Sequence, residues 1–266
     1  MAEYGIVTAV EVKPAGSAIV VPATGGSITI GSAVIPVHCV GQMNPFSQVA
    51  GPVSASGRID FVYQLDTLPT LAIPDGTSKQ LNTFDVTIGT YKITTCKMTN
   101  FTLNASMDDV VKGSFSFQGL VFSTGNTNPT KPTAVPGYKS WTLVASNLGT
   151  FQAISIDLTI DNTVKPIHYM GASSPARNPQ YLAEGFQSIK FNAKLASLPT
   201  LPADITADAL AAIAAPTFVF TDSAAVANTL TITFTNALAE ELSQDLDPED
   251  LVRYGVNYSA EAVAFT

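Results

Sequence analysis

Ile28-Thr29-Ile30, then Val34-Ile35-Pro36-Val37-His38-Cys39-Val40-Gly41, closing on Leu68-Pro69-Thr70-Leu71, make up a stretch that the chain writes twice. The second copy reads Leu158-Thr159-Ile160, Val164-Lys165-Pro166-Ile167-His168-Tyr169-Met170-Gly171 and Leu198-Pro199-Thr200-Leu201. His38 to His168 and Leu68 to Leu198 are both 130 residues, so the register holds without a gap. Across positions 28–71, 14 of 44 residues are identical between the copies, where ordinary composition gives about three by chance. Such an internal repeat describes architecture before it describes chemistry.

The block itself reads as β. Val34 to Val40 is an apolar run that contains Pro36, and Pro166 stands at the same place in the second copy. Proline cannot donate to a ladder, so each run belongs at a sheet edge or at a kink. An edge with unpaired backbone groups is where a neighbouring subunit adds on. Residues 42–56 follow as a polar Gly/Pro/Ser-rich loop, matched by 172–185, in which only Pro45 and Pro175 agree. Equal length with divergent side chains predicts one geometric task and two different contact surfaces. Next, Ile59, Phe61, Tyr63 and Leu65 alternate with Arg58, Asp60, Val62 and Gln64, and Ile189, Phe191, Ala193 and Leu195 alternate with Ser188, Lys190, Asn192 and Lys194. Period two with one polar face predicts a sheet packed on one side only.

Outward from the repeat, residues 5–12 and 18–22 read as short β runs, and further strands are expected at 84–88, 91–98, 113–122, 217–221, 229–235 and 255–265. Trp141 and the phenylalanines fall on these patterns and read as core. Ile205 to Ala214, before Pro216, has helix-forming composition. Asn104 to Val111 and Leu238 to Arg253 are expected as short helical or turn segments. Residues 123–138 are rich in Gly, Pro, Thr and Asn and read as the boundary between repeats. The expected organisation is mainly β, in two tandem β-sandwich or barrel domains, each with a short flanking helix. The first covers residues 1–126, the linker 127–138, and the second 139–266.

Composition narrows the function. Only 13% of the 266 residues are charged, against about a quarter in typical soluble domains, and such a surface is suited to being covered by partners. The net charge is −8 and no Lys/Arg cluster exists, which disfavours gripping DNA. Cys39 and Cys96, both in the first half, read as buried free thiols rather than a disulfide scaffold or a zinc site. Met1-Ala2-Glu3-Tyr4 has no basic leader and no run reaches about 18 apolar residues, so cytoplasmic synthesis without a membrane span is expected. The sequons at Asn100, Asn104 and Asn257 then read as accidental.

No catalytic constellation can be assembled. His38 and His168 are the only histidines and occupy matching positions, but Cys39 becomes Tyr169 and no carboxylate cluster recurs beside them. A strand histidine held by a local hydrogen bond or a subunit contact is the better reading. Asp245-Leu246-Asp247-Pro248-Glu249-Asp250 lacks the central glycine and the twelfth-position Glu of a calcium loop, and reads instead as a helix start capped by Asp247. Ser54 and Ser56 lie in no G-x-S-x-G, and neither G-x-G-x-x-G nor a P-loop occurs. Catalytic residues, cofactors and metals are therefore expected to be none.

The repeated β runs, the loop within each copy and the amphipathic strand that follows resemble the tube proteins of long, non-contractile bacteriophage tails. The clearest stretch is Leu158 to Gly171, where an Ile-x-Asn turn, Ile160-Asp161-Asn162, leads into a strand and a glycine. The chain is similar in particular to tube proteins with two tube domains per subunit, and no added immunoglobulin-like domain is expected at its C-terminus. That resemblance implies a virion structural protein of the tail: three subunits make a ring of pseudo-sixfold symmetry, and stacked rings conduct the genome. It implies homotrimeric self-association, tape-measure, terminator and tail-tip partners, and DNA in transit without specific binding. It implies inner sheets joined into one barrel, and ring-to-ring contacts through the two loops, at Asn44, Pro45, Phe46, Gln48, Pro175, Arg177, Asn178 and Tyr181. A net acidic balance suits a conduit, because DNA carries a charge about every 1.7 Å. A phage decoration or adhesin module would be a stable monomer with clustered loop aromatics, whereas these loops hold only Phe46, Tyr181 and Phe186. The tube of a contractile injection system is the third reading, and the duplication weighs against its one-domain subunits.

Overall fold

Alternating burial fixes nearly every element. Along Tyr91–Ser106, for example, Met98, Phe101, Leu103 and Ala105 are buried, while Asn100, Thr102 and Asn104 are turned to the other face. The computed structural model describes residues 10–16, 18–37, 40, 43–44, 47–63, 68–106, 111–129, 141–146, 153–168, 179–195, 212–213, 216–222, 229–245 and 253–266. The first half contains β1 (Val10–Pro14), β2 (Ile19–Val21), β3 (Ala23–Val37), β4 (Ser47–Val62), β5 (Phe84–Ile88), β6 (Tyr91–Ser106), β7 (Lys112–Gly119) and β8 (Val121–Ser123). The second contains β9 (Trp141–Ser146), β10 (Ala153–Ile167), β11 (Tyr181–Leu195), β12 (Ala212–Ile213), β13 (Thr217–Asp222), β14 (Thr229–Thr235), β15 (Ala237–Asp245), β16 (Arg253–Ala260) and β17 (Ala262–Phe265).

Pairing in the two halves follows one plan. In the first, β3-β4-β7-β6 form a large sheet while β1, β5, the start of β6 and β8 form a smaller one. In the second, β10-β11-β16-β15 and β9-β13-β14-β17 do the same. The corners agree residue by residue. β6 passes between sheets at Thr95 (φ 52°), and the chain does so between β14 and β15 at Asn236 (φ 48°). The Leu120 N–H donates to the Thr94 carbonyl at 3.1 Å, and the Glu261 N–H to the Thr235 carbonyl at 3.1 Å. A bulge lies between Met98 and Asn100 and another between Ala239 and Glu241. These pairs are all 141 residues apart. On β3 and β10 the spacing is 130: shifts fall between Ala23 and Gly25 and between Ala153 and Ser155, then between Ser32 and Val34 and between Asn162 and Val164.

The halves join edge to edge. β10 pairs antiparallel with β6 from Ser155↔Ser106 to Asp161↔Asn100, so the two large sheets become one. One face of that sheet packs on the smaller sheets through aromatic clusters. Phe61, Phe101 and Phe115 meet in the first half, and Phe191, Phe218, Phe234 and Tyr258 in the second. Phe101 and Phe265, 6.1 Å apart edge to face, link the two. Packing is tight enough that Gly113 has no room for a side chain: a Cβ there stands 2.6 Å from the Thr102 carbonyl and 2.7 Å from the Phe61 ring.

Several expectations change. Residues 47–56 are not loop but the first part of β4, and Tyr181–Gly185 belong to β11. The loops are not equal either: β3 and β4 pair as Ile28↔Gly57, whereas β10 and β11 pair as Leu158↔Phe191, a shift of four residues relative to the 130-residue repeat. A side-chain period of two cannot detect a shift of four, because the same residues stay on the same face. Among the described residues there is a short 3-10 turn, Leu68–Ala72, and no α-helix. Asn104–Ser106 finish β6, and Leu238–Asp245 lie in β15, where pairing with β16 overrides the helix preference of Leu, Ala and Glu. Ala212–Ile213 form β12 rather than the end of a helix. Residues 205–211 and the Asp247 cap lie outside the described residues.

Cys96 is free and fully buried. Burial first, and the Asp85 carboxylate second, push its thiol far above the usual range. Cys39 lies outside the described residues. A Cys39→Ser variant should show no thiol reactive to an aromatic disulfide reagent at pH 8 until denaturant is added, then one; ready reaction in the native protein would contradict the burial.

Candidate functional site

The open face of the large sheet carries side chains of one character. Asn100 and Asn104 on β6 donate to Asp161 (2.6 Å) and Asp157 on β10, across the junction between the halves. Thr102 and Ser114 share a hydrogen bond at 2.9 Å. Further along, Asn192 donates to Asn257 at 2.5 Å, and Asn257 to Glu241 at 2.9 Å. Arg58 pairs with Asp60 at 3.0 Å and Lys190 with Glu240 at 3.2 Å. The Lys190 hydrogen bond, then that of Ser259, hold the Glu240 carboxyl below its ordinary value. Among the described side chains of this face on β4, β7, β6, β10, β11, β16 and β15, the carboxylates include Asp60, Asp157, Asp161, Glu240 and Glu241, and the cations Arg58, Lys112, Lys190 and Lys194. The face is therefore amide- and hydroxyl-rich with its charges nearly balanced, rather than strongly acidic. A shallow depression of about 300 Å³ crosses it between Arg58, Asn104 and Asp157. Surface ion pairs of this kind add little stability. What they do is neutralise each charge locally, so that the face neither holds nor strongly repels a polyanion.

A second feature stands away from the sheet. Among the described residues β7 covers β4 from Ala55 to Val62, so Gly31–Val37 and Ser47–Ser54 pair with each other as a two-stranded arm beyond it. Successive residues point to opposite faces, yet Val34 (59% exposed), Ile35 (51%) and Val37 (38%) place apolar groups on both. Val40 and Met43 at the tip are fully exposed. Apolar surface of this extent is a candidate interaction site. Of the predicted contact residues, Asn44 lies exposed at the tip, and Gln48 is exposed on β4 opposite Pro36. Tyr181 begins β11 and is half exposed. Pro45, Phe46, Pro175, Arg177 and Asn178 lie outside the described residues. Phe186, also on β11, is 92% exposed. Among the described residues both prolines stand at an edge: β3 pairs with β4, and Pro166 lies on β10 beyond the part that β6 covers. His168 follows β10 with its Nδ1 buried and without a hydrogen-bond partner; His38 is outside the described residues.

Sequence reasoning missed a polar latch over the junction. Asn162, buried on β10, donates to the carbonyls of Ala72 (3.0 Å) and Met98 (3.2 Å). Gln187 on β11 donates to the same Ala72 carbonyl (2.9 Å) and to Asn162 Oδ1 (2.8 Å). Glu184 accepts the Leu81 N–H at 2.9 Å and pairs with Lys97. The 68–81 connection of the first half is thereby tied to strands of the second, above a cavity of about 630 Å³. The available signal was Asn162, an amide interrupting an otherwise apolar alternation. Asn162→Ala should lower stability by about 1–3 kcal/mol, since two buried carbonyls lose a donor; an unchanged denaturation midpoint would mean that the latch contributes nothing.

Among the described residues no group of His, Cys, Asp and Glu is placed to hold a metal ion, and no helix is long and apolar enough to cross a membrane. Among the described residues, two outer strands of the large sheet have one partner each: β3 pairs with β4, and β15 beyond Leu238 pairs with β16. Residues 69–195 match the family model described as phage tail tube protein. The matched span runs from the 3-10 turn to the end of β11, across the β6–β10 junction. No curated protein matches the chain.

Proposed function

We propose that the chain, whose residues 69–195 match the family model of phage tail tube proteins, is a structural component of the virion tail and the major tube subunit of a long non-contractile tail. Two tandem tube domains, residues 1–126 and 139–266 with the linker between, act as two sixths of a ring. Three subunits close the ring, rings stack, and the genome passes through without specific binding or catalysis. Assembly takes place in the host cytoplasm, and tape-measure, terminator and tip proteins complete the tail.

The observation that carries this reading is the edge-to-edge junction of β6 with β10, which joins two like sheets inside one chain and, among the described residues, leaves β3 and the part of β15 beyond Leu238 as edges. Sheets manage open edges by covering or closing them, and closed cyclic symmetry is the usual way for identical subunits. Size favours three copies. β3-β4-β7-β6-β10-β11-β16-β15 give eight strands per subunit. At about 4.8 Å spacing and about 40° tilt, two copies make a circle roughly 30 Å across between backbones, and three roughly 45–50 Å. Once side chains fill both walls, only the larger leaves room for a hydrated duplex. The nearly neutral face then forms the wall, and the apolar arms reach adjacent rings.

Electron microscopy of concentrated purified protein should show hollow tubes built of threefold rings. Dispersed monomers at the same concentration would overturn the reading.

A further inference from the structure

The internal junction predicts the external one. β10 maps onto β3 at a spacing of 130, as the shared bulge positions show, and β6 maps onto β15 at 141, as the shared corners and the Met98/Ala239 bulges show. A side-chain bond repeats at the same spacing: Thr102 Oγ1 donates to the Ser114 carbonyl, and Ser243 Oγ to the Gly255 carbonyl. Carrying the β6–β10 register across these offsets gives one definite pairing between two copies of the chain. We infer that β15 of one subunit pairs antiparallel with β3 of the next, with Glu241 opposite Gly31, Leu242 opposite Ile30, Ser243 opposite Thr29, Gln244 opposite Ile28 and Asp245 opposite Ser27. This inference rests on the ring proposed above and specifies its seam.

Three observations fit this occupant. The mapped stretch of β15 is free of β12, which pairs only with Ala237 and Leu238. Ile30 is 44% exposed on a strand whose counterpart, Ile160, is fully buried against β6; a neighbouring β15 supplies the missing cover. In sequence, Asp245 and Ser27 stand where the Asn104–Asp157 pair stands, so the acceptor and donor types exchange strands. The seam also lacks the internal latch. Ser32 stands at the position of Asn162, 130 residues earlier, so the amide that donates to two carbonyls inside the subunit is not repeated. The external seam is thus held mainly by backbone pairing and apolar cover, and is the weaker of the two.

Directly opposed residues on antiparallel strands lie about 4.5–5.5 Å apart at Cα, within disulfide reach, while residues displaced by two positions along the strand do not. In a Cys39→Ser background, Thr29→Cys with Ser243→Cys should, on oxidation of assembled tubes, give covalent dimers and a closed trimer, with little higher product. Thr29→Cys with Glu241→Cys should give at least tenfold less. Tubes visible by microscopy in which the second pair links as well as the first, or in which neither links, overturn this register while leaving the tube reading intact. Absence of tubes from the unsubstituted protein overturns the tube itself. Should the cysteine variants not fold, amide exchange in the unsubstituted protein decides: segments 26–31 and 241–245 should slow at least tenfold on assembly, and equal rates in subunit and tube overturn the seam.

Discussion

Phe191→Ala should lower the stability of the subunit by about 3–5 kcal/mol, the usual result of emptying a buried aromatic site. The ring is 4.0 Å from that of Phe234 and 4.7 Å from Tyr258, both stacked, and 5.8 Å from Phe218 edge to face. β11 supplies Phe191, β16 supplies Tyr258 and the small sheet supplies Phe218 and Phe234, so one truncation loosens both layers. The strands are held by backbone ladders on either side and collapse only in part, which leaves a cavity. The expected fall in melting temperature is about 10 °C for a chain of this size. A change of a degree or two would show that the second half is not organised around this cluster. Tube formation at low temperature should survive, because the ring touches neither the arm nor the open edges.

Val34→Asp with Ile35→Asp should have the opposite profile. Both side chains are more than half exposed on the arm, where surface substitutions change subunit stability by about 0.5 kcal/mol or less. If the arm is buried against another ring, each lost apolar side chain removes about 1.5 kcal/mol or more of contact energy. Two together raise the concentration needed for tube growth by at least about a hundredfold, before the penalty for burying carboxylates. Melting of the isolated subunit and sedimentation of assembled tubes separate the two effects. Tubes that still form at the wild-type concentration would remove the arm from the stacking contact.

The repeat, the alternating strands at Arg58–Tyr63 and Ser188–Leu195, and the edge character of Pro36 and Pro166 were legible because each is a local pattern with a fixed physical cause: side-chain period in the strands, and a missing donor at proline. The resemblance to tube proteins rested on the same block, and residues 69–195 carry the family match. The extent of the arm was not legible. Gln48, Ser54 and Ser56 read as loop because they lie in a polar stretch rich in Gly, Pro and Ser, yet they are strand, with β3 supplying the ladder opposite them. Leu238–Asp245 were misread for the converse reason, since β16 decides their conformation against local preference.

What the sequence alone determined is that the chain is mainly β, carries a block written twice, and has strands with one polar face. Tertiary structure alone decided how the copies meet: β6 against β10, a four-residue difference in hairpin register, and the Asn162–Gln187–Glu184 latch over the junction. The reason is range. Alternation and proline act within a few residues, whereas an edge finds its partner through backbone groups that every residue carries alike, so strand order is encoded only in the packing of the whole.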